Sequence, residues 1–353
     1  MSNVVLLNVP RRQTVSDRAA KLTNGFASTR RTPQDVYWLK ENAELLNILE
    51  CTGTGIDSDA LRPFEAFYDT IEDRLSFFPQ YYRFLLSMTL DLEDLGLPGQ
   101  RGEALCHHIA RDGLDAAELS DLQRAEAQRL LARRGVEPRG PDTGLTDRLH
   151  DFISQPVTFA IPNKKAAYEL THIVFYLSEY GRRDPQISAE VVTSLEYAGL
   201  SAYLDQNADL LAEICVALRY SGHTPSAIWE DWVMQTLSQF QISNMPDAPL
   251  MDGYHTYFVS SWLAAMTDQT PFPCQVPEGQ ISVPHPLVET SALRGMSACL
   301  FEMGGNRSAD WGVMRSEVVD AMHPHTYDIL EDAERSSDRF AEFFAQFSRA
   351  RAG

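Results

Sequence analysis

The segment KKAAYELTHIVFYLSEY, residues 164–180, places ionisable and aromatic side chains where a helix would bury them. Tyr168, Tyr176 and Glu179 lie at helical spacings from His172, so these four side chains share one face. The opposite face is apolar, so we expect both faces of this helix to be buried. An unpaired histidine or carboxylate in a core costs on the order of several kcal/mol. The pattern therefore predicts that His172 and Glu179 have either bonding partners or a cavity.

Two interpretations of this face remain open. In the first, His172 is a general base or a metal ligand, Glu179 binds the metal or supports a ligand, and Tyr176 is a hydrogen-bonding phenol. In the second, His172 is a hydrogen-bonded core histidine, and Glu179 forms a surface salt bridge with Arg182 or Arg183.

A second histidine, His255, lies on the apolar face and in the first turn of another strongly patterned helix. The positive end of the helix dipole disfavours imidazolium, so we expect a neutral ring, the form that binds metals or accepts protons. Asp252 either orients this ring or caps the helix, and capping is the commoner use. If the two helices converge, His172 and His255 would form one catalytic site. In one form of this hypothesis, the two histidines and Glu179 bind a divalent metal ion.

Asp91 and Asp94 end a helix predicted over residues 81–95. Two carboxylates at this spacing can hold Mg²⁺ beside a diphosphate, and the D-x-x-D pattern resembles that of terpenoid synthases. No N-x-x-x-S-x-x-x-E motif follows downstream. The preferred interpretation is therefore that both are solvated acids on the outer face of the helix.

Helix start and stop signals recur from residue 32 almost to the C-terminus. Thr32-Pro33 predicts a helix start and Gly53 its end, while Asn207 and Gly222 bracket another helix. Strand signals are confined to residues 3–9 and 280–283, and neither segment has a clear hairpin partner. The sequence thus predicts an all-α protein, a multi-helix bundle or α/α-barrel-like array of roughly a dozen helices.

One composition change suggests a domain boundary. Residues 136–144 are rich in glycine and proline, which is typical of a linker. This predicts an N-terminal helical unit over residues 1–135 and a larger helical unit over residues 145–353. The alternative is one continuous helical domain in which the same residues form a surface loop.

Composition and charge exclude several classes of protein. The chain has 353 residues and a formal net charge of −19, so sequence-independent binding to nucleic acid is not expected. No apolar run is long enough for a membrane span, and the N-terminus has the wrong charge order for a secretion signal. Five scattered cysteines argue against a disulfide framework. We expect a soluble cytoplasmic protein, and no nucleotide-binding, α/β-hydrolase or zincin motif is present.

Two short stretches carry a family resemblance. They are YELTH at residues 168–172, followed by Phe175 and Tyr176, and YHT at residues 254–256. They resemble motifs of uncharacterised all-helical bacterial families of toroid or α/α-barrel form. The resemblance implies an all-helical fold and no named activity.

Three functional hypotheses follow from the sequence. The first is a small-molecule enzyme whose pocket contains His172, Tyr176, Glu179 and His255 and works by acid–base or metal-assisted chemistry. The alternative is a non-catalytic helical module that binds a protein partner through its acidic surface and an aromatic-rich terminal helix. A terpenoid-type diphosphate enzyme is the third. The aromatic residues of the terminal helix are Phe340, Phe343, Phe344 and Phe347.

Overall fold

The computed structural model describes residues 12–140, 142–245, 251–286 and 291–350. This part of the chain contains eighteen α-helices and one small sheet, which confirms the all-α prediction. The helices outnumber the predicted dozen because several are short. They are α1 (Val15–Asn24), α2 (Val36–Thr52), α3 (Glu65–Asp69), α4 (Ile71–Phe77), α5 (Tyr82–Asp94), α6 (Arg101–Asp112), α7 (Asp121–Ala132), α8 (Leu145–Ile153), α9 (Pro156–Phe159), α10 (Lys164–Leu177), α11 (Ala189–Leu204), α12 (Ala208–Tyr220), α13 (Ala227–Gln239), α14 (Tyr254–Ala265), α15 (Ala292–Met303), α16 (Trp311–Ala321), α17 (Tyr327–Ser336) and α18 (Phe340–Phe347).

The helix ends follow the local signals with one shift. Helix α2 begins after Asp35, whose carboxylate accepts a hydrogen bond from the Tyr37 backbone N–H at 2.9 Å. The predicted start at Thr32 is therefore wrong, because Asp35 is the residue that caps the helix. Gly53 ends α2 with φ 63°, and Gly222 follows α12 with φ 76°, both in the left-handed region that glycine adopts readily.

The sheet consists of β1 (Ser243–Asn244) and β2 (Ile281–Ser282), paired antiparallel with Ser243 opposite Ser282. Strand β2 confirms the extended segment predicted at residues 280–283. Its partner is too short, at two residues, to produce a recognisable alternating pattern. The other predicted strand, residues 3–9, lies outside the described residues.

Helix α12 lies at the centre of the packing that matters for the site. It packs against α10, α11, α13 and α14, and α14 in turn packs against α2. Its apolar residues Leu211, Ile214 and Leu218 are buried, so these neighbours enclose α12. Across the described ranges, no helix combines the length and the apolar character that crossing a membrane demands.

Buried hydrophobic side chains form two clusters. The smaller cluster is drawn from residues 27–136, and the larger one from residues 19–347. Helix α2 contributes to both, with Leu46 in the smaller cluster and Leu45 in the larger one. The division into units 1–135 and 145–353 stays a prediction.

The aromatic face of α18 is part of the core. Trp311 of α16 lies 5.1 Å from the Phe340 ring and 4.7 Å from the Phe344 ring, and Tyr197 of α11 contacts Phe343 at 5.8 Å, measured between ring centroids. These rings are buried, so this face is not free to bind a protein partner.

Ion pairs connect α5 to the end of α7 through Asp91 and Asp94. Asp91 is completely buried, and Arg133 places one guanidinium nitrogen 2.7 Å from Asp91 and the other 2.7 Å from Asp94. Arg134 adds a second contact to Asp94 at 2.9 Å. The expectation of a solvated acid is wrong for Asp91, which is buried beneath Arg133, and holds for Asp94, which is exposed although it pairs with both arginines.

This ion pair predicts a strong effect on stability. Replacing Arg133 with methionine leaves Asp91 buried without its cation, so we expect the free energy of unfolding to fall by about 3–5 kcal/mol. Arg62→Met is the matched control, because Arg62 and its partner Asp59 are exposed, and it should cost less than about 1 kcal/mol. Urea denaturation measures both variants, and equal losses would contradict the prediction.

Candidate functional site

Two predicted histidines from separate helices meet at one carboxylate. His172 of α10 places Nδ1 3.8 Å from Oε2 of Glu213, and His255 of α14 places Nε2 3.9 Å from Oε1. Glu213 lies on α12, between the two helices in the packing. The convergence of the two histidines, which the enzyme hypothesis requires, is therefore present in the structure.

Glu213 is a carboxylate held in the core. It is 3% exposed, and its Oε2 accepts a hydrogen bond from the Thr171 hydroxyl at 2.6 Å. Burial raises the pKa of Glu213 above its ordinary value, although the two histidines and the Thr171 hydroxyl act in the opposite direction. A carboxyl in this environment binds a proton more readily than one in water.

His255 is surrounded by carboxylates. Its Nδ1 lies 3.2 Å from Oε2 of Glu44, and its Nε2 lies 3.8 Å from Oδ2 of Asp209. Burial alone would lower the pKa of His255, but the hydrogen bond to Glu44 and the charges of Glu44, Glu213 and Asp209 raise it to about 9. The expectation of a neutral ring is wrong, because nearby carboxylates outweigh the helix dipole.

His172 presents the opposite arrangement. Its Nδ1 lies 2.7 Å from the backbone carbonyl oxygen of Tyr168, which can only accept, so Nδ1 donates the hydrogen bond. A neutral His172 therefore carries its lone pair on Nε2. The His172 side chain is 37% exposed, so part of it faces solvent. His172 is the side chain in the cluster best arranged to accept a proton.

Of the other two predicted site residues, Tyr176 lies on α10, whereas Glu179 follows the end of this helix at Leu177, so the predicted shared face with His172 is wrong for Glu179. Glu179 has its carboxylate oxygens 3.8 Å from Arg129 and 3.7 Å from Arg183, which matches the salt-bridge interpretation. Tyr176 contacts the His172 ring, with 6.1 Å between centroids, but its ring also lies 5.7 Å from the Arg129 guanidinium. Tyr176 thus borders the cluster, and Glu179 belongs to a different charged group.

The metal set predicted from His172, His255 and Glu179 does not fit this geometry. Glu179 interacts with arginines, His172 uses Nδ1 as a donor, and both nitrogens of a protonated His255 carry hydrogens. Within the described ranges, no three histidine, cysteine, aspartate or glutamate side chains are grouped so that they could hold a metal ion.

Asp252 does not orient His255. Its carboxylate binds the fully buried Arg30 at 2.8 and 2.9 Å and accepts a hydrogen bond from the Val283 backbone N–H at 2.8 Å. It also accepts a longer one, 3.3 Å, from the backbone N–H of Tyr254 in the first turn of α14. Asp252 therefore fixes the start of α14, which is closer to the capping interpretation.

A cavity of about 560 Å³ adjoins the cluster. Tyr168, whose carbonyl binds His172, and Asp209, which faces His255, both line it. The remaining walls are polar and aromatic, with Tyr203, Trp232 and Asp328 among them. His172, His255 and Glu213 do not line this cavity, so a small molecule in it would reach the cluster through Tyr168 and Asp209.

Three acidic members of the cluster, Glu44, Asp209 and Glu213, were not predicted from the sequence. A signal for two of them exists in α12, ADLLAEICVALRY, where Asp209 and Glu213 lie four residues apart in an otherwise apolar stretch. Residues four apart share a helix face, so this pair indicates a second polar face that enters the core. Glu44 follows Lys40 at the same spacing, which resembles an ordinary surface pair.

Comparison of the sequence with known protein families identifies one family that matches this chain. A family model described as a domain of unknown function (DUF6902) matches residues 1–350, and the chain therefore belongs to this family. No curated protein and no solved structure matches the chain. The match agrees with the resemblance to uncharacterised families, whereas a toroid or α/α-barrel form stays a prediction.

The raised pKa of His255 predicts a pH-dependent stability. Because the pKa rises from 6.5 to about 9 on folding, the charged ring stabilises the folded protein fully below pH 6.5. This contribution is lost as the pH rises through about 9. The difference in free energy of unfolding between wild type and His255→Gln should therefore shrink from pH 6.5 to above pH 9. Urea denaturation at several pH values measures it.

The exposed His223 supplies the control. His223→Gln should show no comparable pH dependence over this range. A histidine NMR resonance assigned to His255 that titrates at or below pH 6.5 would contradict the proposed charge state.

Proposed function

We propose that this member of the DUF6902 family is an enzyme that transfers protons to or from a small polar molecule. The observation that carries this proposal is the meeting of His172 and His255 at the buried carboxyl of Glu213. A cavity of about 560 Å³ reaches their neighbours Tyr168 and Asp209. Clefts that combine convergent ionisable groups with shifted pKa values are typical of active sites.

The spacing within the cluster supports a catalytic rather than a purely structural role. The contacts from the histidines to Glu213 are 3.8 and 3.9 Å, longer than hydrogen bonds. By contrast, the nearby structural network joins Arg30 to Glu41 and Asp252 at 2.9 and 2.8 Å. Catalytic hydrogen bonds are often long in unliganded enzymes and shorten when substrate binds.

The cluster divides the work of acid and base between two histidines. His172 accepts a proton at Nε2, while its Nδ1 stays bonded to the carbonyl of Tyr168 and fixes the ring. His255 retains its proton at neutral pH and provides positive charge next to Glu213. Glu213 is a positioning residue, because its carboxyl group contacts both imidazole rings.

The cavity walls favour a neutral or cationic substrate. The cavity is lined by three aspartates, Asp209, Asp328 and Asp332, and by one lysine, Lys164. The positive charge of this lysine is already paired with Asp205 at 2.9 Å. Carboxylates and aromatic rings together recognise ammonium groups well. We therefore propose an amine-bearing or hydroxylated small molecule as substrate. A diphosphate, as a terpenoid-type enzyme requires, would be repelled.

The proposal predicts which variants lose activity. Purified protein is incubated with a panel of amine-bearing and hydroxylated metabolites, and turnover is followed by mass spectrometry. His172→Gln should reduce the turnover found for wild type by roughly 10²-fold or more, as expected for loss of a general base. His255→Gln should also reduce it, because the positive charge next to Glu213 is lost.

The exposed His223 again provides a matched control, and His223→Gln should retain full turnover. Circular dichroism confirms that each variant is folded. Full activity in folded His172→Gln would contradict the proposal. The proposed function would also be wrong if the wild-type protein neither converts nor binds any member of the panel.

A further inference from the structure

Arg129 of α7 is a buried cation without a hydrogen bond in the described part of the chain. The residue is 6% exposed, and its Nε has no hydrogen-bond partner. Its nearest carboxylate, Glu179, lies 3.8 Å away, beyond hydrogen-bond distance. A guanidinium group has five N–H donors, and leaving them unsatisfied in a core is costly. This side chain therefore requires a partner that these contacts do not supply.

Other buried arginines of the chain show what a satisfied guanidinium looks like. Arg133 binds Asp91 and Asp94 at 2.7 Å each, and Arg30 binds Glu41 and Asp252 at 2.9 and 2.8 Å. Each of these arginines has two carboxylate partners at hydrogen-bond distance. Arg129 is buried to a similar degree and has none within the described residues.

A separate cavity of about 170 Å³ lies against Arg129. Gln128, Thr146, Arg183 and Glu179 also line it, so its charged walls consist of two arginines and one glutamate. An excess of positive charge is unusual in a chain whose net charge is −19. The cavity shares no lining residue with the larger cavity at Tyr168 and Asp209.

Two tyrosines cover the flat side of the guanidinium. The Arg129 group lies 4.7 Å from the ring centre of Tyr180 and 5.7 Å from that of Tyr176. These contacts hold the charged plane in place, and the edge of a guanidinium group can bind a planar pair of oxygen atoms. Carboxylate and phosphate groups are the ligands that match this edge with two parallel hydrogen bonds.

We propose that Arg129 binds the oxyanion group, carboxylate or phosphate, of a small molecule in this cavity. Arg183, Gln128 and Thr146 are further donors along its wall. The site is independent of the proposed proton transfer, because it can bind its ligand whether or not the histidine cluster is catalytic.

Glu179 is the competing group at this site. Its carboxylate lies within 4 Å of both Arg129 and Arg183 without forming a hydrogen bond to either. Glu179 and Tyr180 have φ values of 49° and 53°, a left-handed conformation that is unfavourable for both residue types. An incoming oxyanion would take the closer position at Arg129, and Glu179 weakens its binding by repulsion.

Isothermal titration calorimetry tests the proposal with three probes at constant ionic strength: inorganic phosphate, sulfate and acetate. Binding of phosphate and sulfate only identifies a phosphate-type site, and binding of acetate only identifies a carboxylate site. Binding of all three supports a general oxyanion site. If none binds to the wild-type protein, the proposal is wrong.

Three variants then locate the binding. Arg129→Met should weaken it by roughly tenfold or more, since it removes a charge-assisted pair of hydrogen bonds. Glu179→Gln should tighten it, because the competing charge is removed. Arg124→Gln is the matched control on the same helix, where the arginine is paired with Asp121 and Asp142, and it should leave affinity unchanged.

Arg129→Lys keeps the result interpretable if the methionine variant does not fold. Lysine retains the charge but cannot form two parallel bonds, so affinity should still fall. Unchanged affinity in a folded Arg129 variant would overturn the assignment of the site. Equal weakening by Arg124→Gln would also overturn it, because the effect would then reflect overall charge.

Discussion

The burial of the Glu213 carboxylate is the constraint on which the candidate site depends. A carboxylate in a helical core must find hydrogen bonds or positive charge, or it takes up a proton. Thr171 supplies one hydrogen bond, and the imidazoles of His172 and His255 supply the rest of the compensation. These partners come from α10 and α14, so α12 must pack between the two helices. Because both histidines are partly exposed, at 37% and 32%, the cluster connects the core with the surface.

The choice of cation separates this cluster from the other buried charges of the protein. Asp91 and Glu41 are compensated by Arg133 and Arg30, and an arginine stays charged at any physiological pH. Such pairs can fix helices but cannot exchange protons. Histidine is the side chain that changes its charge in this range, and it is the cation used at Glu213. The same need to compensate a carboxylate is therefore met by a permanently charged arginine at Asp91 and by titratable histidines at Glu213.

Much of the fold could be predicted because its signals are local. Glycines such as Gly53 and Gly222 end helices through their own backbone, and the apolar positions of α12 follow its periodicity. His172 and His255 could be selected because each is an ionisable residue on an apolar face. Their shared partner, Glu213, could not be selected from the sequence, because its contact with both histidines depends on how distant helices pack. The charge of His255 was mispredicted for the same reason: the helix dipole belongs to α14, whereas Glu44 and Asp209 belong to other helices.

Glu179 shows that a helix face extrapolated from sequence spacing holds only as far as the helix continues. It lies seven positions after His172, but α10 ends at Leu177 and Glu179 has a φ of 49°, so its side chain does not continue the face of His172. Along α10 the neighbouring helix also changes from α12, which brings Glu213, to α7, which brings Arg129. Each segment acquires the chemistry of the helix that packs against it. Helical periodicity specifies the direction in which a side chain points, and the packing partner specifies what it meets there.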